Sequence, residues 1–67
     1  MNKPLFNHKL IESKRQSLNL SIEDFCSKCK INIKEYYQFL HNDLDINLVT
    51  IARIARFVKI KLYEIFL

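Results

Sequence analysis

The 67 residues carry 11 Lys and Arg against 7 Asp and Glu, are 49% hydrophobic, and include no Gly and a single Pro. A chain this short folds as one domain, residues 1–67, and so apolar a composition excludes a disordered tail. The tight turns of a small sheet protein usually use Gly or Pro, and a membrane span needs about 20 continuous apolar positions, so the expectation is an all-α, cytoplasmic domain with no signal peptide and no membrane partner.

The first helical pattern runs from about Leu5 to Leu18, with Phe6, Leu10, Ile11 and Leu18 apolar and Lys14 and Arg15 on other faces. The second spans about residues 21–30. Ser21 is a good N-cap, and Glu23 and Asp24 in the first turn oppose the helix dipole. Ile22, Phe25, Cys26 and Cys29 then recur at the spacing of one buried face. The third spans about residues 32–41, where Asn32 and Glu35 have the spacing of a capping box. Helical spacing sends Tyr36, Phe39 and Leu40 inward with Ile33 and Tyr37 flanking. Lys34, Gln38 and His41 form an exposed stripe, with Glu35 and Asn42 beside it.

Between the second and third helices only Lys30, Ile31 and Asn32 remain, a corner short enough to define a helix-turn-helix. Asn47 caps a fourth helix with Leu48, Ile51, Ala52, Ala55 and Val58 inward, and a last turn or two around Leu62 to Phe66 closes the chain. The expected architecture is a compact four- to five-helix bundle containing that helix-turn-helix.

Charge is uneven along the chain. Lys3, Lys9, Lys14 and Arg15 face one carboxylate, Glu12, at one end; Arg53, Arg56, Lys59 and Lys61 face only Glu64 at the other. The middle holds Glu23, Asp24, Glu35, Asp43 and Asp45 against three lysines. Basic ends suit a polyanion such as nucleic acid, although the same charges serve solubility in ordinary domains. Cys26 and Cys29 lie on the apolar stripe of the second helix, so they read as core thiols rather than zinc ligands with His8 and His41. No metal, cofactor or catalytic constellation is expected, and the protein is not expected to be an enzyme.

Leu20-Ser21 and Glu23-Asp24 opening helix two, Ile31-Asn32 at the corner, Leu48, Thr50, Ile51, Ile54 and Ala55 on helix four, and the closing Leu62, Glu64, Ile65 and Phe66 carry a resemblance. From Leu10 to Phe66 the chain resembles the lambda repressor and Cro-like helix-turn-helix domains, the XRE family. Three positions depart from that pattern: Ile22 stands where the family has Gln, Cys26 where it has Ala, and Lys30 where it has Gly. The resemblance implies a nucleoid-associated DNA-binding regulator, most simply a dimeric repressor on a palindromic operator, with helix three in the major groove.

The side chains of that helix able to contact bases are Lys34, Glu35, Gln38 and His41. Phosphate contacts are expected from Ser21, Lys14, Arg15, Lys30 and Asn42. The apolar residues exceed what so small a domain buries, which makes Phe57, Leu62, Ile65, Phe66 and Leu67 candidates for a homodimer interface. The alternative is a helix-turn-helix repurposed to bind a protein, as an antitoxin-like or inhibitor module. The acidic middle, Ile22 and the aromatic third helix favour it.

Overall fold

The computed structural model describes residues 5–67. Four helices follow in order, α1 (His8–Ser17), α2 (Ile22–Cys29), α3 (Ile33–Leu40) and α4 (Leu48–Phe57), and a 3-10 turn, Leu62–Ile65, closes the chain. The all-α expectation holds: the described residues form no strand, only an isolated antiparallel bridge between Phe6 and Phe66. No helix among them is long and apolar enough to cross a membrane.

Each helix starts where its cap dictates. The side chains of Asn7, Ser21, Asn32 and Asn47 accept from Leu10 N, Asp24 N, Glu35 N and Val49 N. At Asn32 the capping box closes in both directions, with Glu35 Oε1 accepting from Asn32 N at 3.0 Å.

All four helices end in the same way. Asn19, Lys30, Asn42 and Lys59 are left-handed, with φ between 56 and 63°. The next residue in each case, Leu20, Ile31, Asp43 or Ile60, donates back to the carbonyl of Arg15, Cys26, Gln38 or Ala55. This is the Schellman ending, here built four times without Gly. Three of the four donors are apolar and turn onto the core.

Two sequence expectations need correction. The first helix begins at His8, not Leu5. Leu5 and Phe6 are anchored outside it, both donating to Asn42 Oδ1, at 2.8 and 3.2 Å, while Asn7 N donates to Ile65 O and Leu67 N to Leu5 O. On α4 the inward face is Thr50, Ile51, Ile54 and Ala55. Leu48 is 70% exposed and Ala52 is exposed. The face is rotated because Thr50, a polar residue, points inward and donates its hydroxyl to Glu35 of α3.

The centre of the core is half aromatic and half isoleucine. Phe6, Phe25, Tyr36 and Phe39 are fully buried together with Ile11, Ile51, Ile54 and Ile65. Phe39 stacks on Tyr36 at 5.7 Å and meets Phe6 at a tilt at 5.1 Å, and Phe25 meets Tyr36 at 5.3 Å. The Tyr36 hydroxyl donates to Glu12 Oε2 at 2.6 Å, and Arg15 grips the same carboxylate through Nε at 2.7 Å. Arg15 also donates to the carbonyl of Leu20, at 2.6 Å. This chain of bonds satisfies the only polar atom of the buried phenol and ties α3 to α1.

Candidate nucleic-acid interface

α2 and α3 are joined through Lys30, Ile31 and Asn32, as the spacing predicts. Each of the three fixes the corner by a different means. Lys30 takes φ 63°, ψ 42°, a left-handed conformation that is unfavourable for a residue with a Cβ. Ile31 is buried, and Asn32 caps the helix that follows. From the other side, Arg53 of α4 donates to the carbonyl of Lys30 at 2.8 Å. The corner is therefore held by backbone geometry, burial and a charge-assisted bond.

The predicted base-contacting residues do not share one fate. Lys34 and His41 stand exposed, a helical repeat of seven apart on one stripe. Gln38 is half-buried between them, and its amide donates to Asp43 Oδ2 at 3.2 Å. Glu35 is occupied internally: one carboxylate oxygen completes the cap and the other accepts from Thr50. These bonds, the Asn32 backbone first, hold its carboxyl below the usual range. The exposed stripe also includes Ile33 and Tyr37, 39% and 44% exposed, which the periodicity placed at the flanks of the buried face.

Among the expected phosphate contacts, Ser21 is exposed at the start of α2 with its oxygen accepting from Asp24 N, and Lys30 is exposed at the corner. Lys14 is half-buried on α1. Arg15 is engaged within the chain, its guanidinium bonded to Glu12 and to the Leu20 carbonyl. Asn42 has its oxygen bonded to the backbone of Leu5 and Phe6, which leaves its amide N–H groups as donors.

Of the expected interface residues, Ile65 is wholly buried and belongs to the core, since the chain that follows it folds back over Phe6. Phe57 and Phe66 are half-buried against Phe25 and Phe6. Leu62 and Leu67 remain exposed, joined by Tyr63 at 70% exposure. Cys26 and Cys29 are free and buried, and burial pushes the Cys29 thiol up to about 12.

Two features escaped the linear reading. A cleft of about 500 Å³ opens between the end of α2 and the second half of α4, lined by Lys28, Cys29, Lys30, Arg53, Arg56 and Phe57. Its cations come in two pairs 23 or more residues apart in the chain, so only the packing of α2 on α4 gathers them. The other is the loop after α3, where Leu44 is 80% exposed between Asp43 and Asp45. Here an apolar residue between two carboxylates in a predicted loop was a visible signal.

No protein-family model, curated protein or solved structure matches this chain.

Proposed function

We propose that the chain is a helix-turn-helix DNA-binding regulator, with α3 as the reading helix and Lys34, Gln38 and His41 as the side chains that meet base edges. The observation that carries this reading is the corner. Lys30, Ile31 and Asn32 are fixed from both sides, so α3 is held at a set angle with a satisfied N-terminus and a polar stripe outward. Lysine donates to guanine, and glutamine pairs with adenine once its amide leaves Asp43. Phosphate contacts come from Ser21 and the α2 N-terminus, from Lys14 and Lys30, and from the Asn42 amide. Glu35 and Arg15 serve the fold. Leu62 and Leu67, with the edges of Phe57 and Phe66, supply the contact for a two-fold pair on a palindromic site, where the pair acts most simply as a repressor by occupying its operator.

One observation favours a protein partner as a second reading. On α3 and in the loop that follows it stand Ile33, Tyr37 and Leu44, all exposed, with Asp43 and Asp45 on either side of Leu44. Apolar side chains rimmed by carboxylates suit a protein surface better than a phosphate backbone.

Fluorescence anisotropy separates the two readings. Labelled duplex from the upstream region of the protein's own gene is compared with scrambled duplex at two salt concentrations, for wild type and a Lys34→Ala, Gln38→Ala double variant. The DNA reading expects binding that falls steeply with salt and prefers the native duplex, a preference that the variant loses. Equal, weak binding to both duplexes by wild type and variant alike overturns it in favour of the protein-binding module.

A further inference from the structure

The cleft between α2 and α4 and the loop after α3 are complementary in charge. Lys28, Lys30, Arg53 and Arg56 surround the cleft, and Cys29 and Phe57 give it an apolar floor. None of its lining residues is acidic. Arg53 is oriented in advance by its bond to the Lys30 carbonyl, which leaves most of its N–H donors unused.

The loop is the converse, an apolar tip between carboxylates. Among the described residues Leu44 is the most exposed of the large apolar side chains. It is carried on a stiff support: Asp43 Oδ1 accepts from Asp45 N at 2.9 Å, Ile46 just beyond is buried, and Asn42 just before is bonded to Leu5 and Phe6. Asp43 is half-buried, and Asp45 is exposed beside the tip.

We propose that this loop docks into the cleft of a second copy of the chain, with Leu44 over Phe57 and Cys29 and the Asp43 and Asp45 carboxylates among the lysines and arginines. A leucine side chain is small against a cleft of about 500 Å³, so the flanking backbone enters with it. Knob and cleft are different patches, so the contact is head-to-tail; it shares only Phe57 with the two-fold pair, which rests on Leu62 and Leu67. It is small beside a standard interface, which makes the association weak, about 10–100 μM, and sensitive to salt.

Sedimentation velocity without DNA tests this through two broken partners. One carries Leu44→Ser and Asp45→Lys and keeps its cleft; the other carries Lys28→Glu and Arg56→Glu and keeps its knob. All four positions are exposed, and circular dichroism checks that each variant retains its helices. Wild type is expected to associate with rising concentration, and each variant alone at least tenfold more weakly. An equimolar mixture of the two is expected to recover a one-to-one complex, a rescue that misfolding cannot imitate. A mixture that stays monomeric, variants that associate as wild type does, or a wild type monomeric at 1 mM overturns the proposal (about tenfold above the weak end of the expected range). So does association abolished by Leu62→Ser with Leu67→Ser alone. The DNA reading stands or falls separately, on duplex anisotropy.

Discussion

Tyr36 illustrates how much one side chain does in a domain of this size. Its ring sits among Phe25 and Phe39, and its hydroxyl reaches a carboxylate held by Arg15. Tyr36→Phe keeps the packing and removes a hydrogen bond to a charged acceptor, an expected loss of about 1.5–3 kcal/mol in urea unfolding. The same network sets a pH dependence. The hydrogen bond from Arg15 holds the Glu12 carboxyl below its ordinary value, as the Asn32 backbone does for Glu35. A carboxyl lowered on folding adds stability above its unfolded pKa, and that stability is lost as pH falls through the folded value. Urea midpoints should therefore drop from pH 6 towards pH 3, and Glu12→Gln should flatten that drop while lowering the plateau. The reverse slope would show that Glu12 is not ion-paired in the folded chain.

The helices are set by their ends. The starts of α2, α3 and α4 were legible in the sequence because a cap is a local device: Ser21, Asn32 and Asn47 each needed only their own next turn. Asn32→Ala should cost about 1 kcal/mol, and more than Ser21→Ala because it also breaks the reciprocal Glu35 bond. The other ends carry strain. Lys30 and Lys59 hold left-handed backbone that costs an L-residue roughly 1–2 kcal/mol. Lys59→Gly should raise stability by up to about 1 kcal/mol after the unfolded-state entropy of Gly is set against it, measured as a rise in urea midpoint. What the linear pattern missed was non-local. Leu5 and Phe6 look helical until Asn42 and the chain end are brought beside them, and α4 was misphased because the inward turn of Thr50 depends on Glu35.

At the scale of the molecule, burial holds back both thiols, Cys29 included although it lines the cleft. Both thiols are buried, and burial raises the pKa of each. Neither should react with a thiol reagent under native conditions, and their labelling should follow unfolding as urea is raised. The candidate interface was legible only in part, for a related reason. Exposure of Lys34 and His41 follows from one helix's period. The engagement of Glu35 by Thr50 and the gathering of four cations by α2 and α4 depend on partners distant in the chain, whereas Arg15 is held by its near neighbours Glu12 and Leu20.

The clasp between the two ends of the described chain has a further consequence. Leu67 N bonds to Leu5 O and Phe6 bridges Phe66, so the path enters and leaves the domain at one spot. A module of that shape can be spliced into a surface loop of another protein without stretching its host. The graft should keep the Tyr36 network closed, and its helical signal should melt as one unit separate from the host.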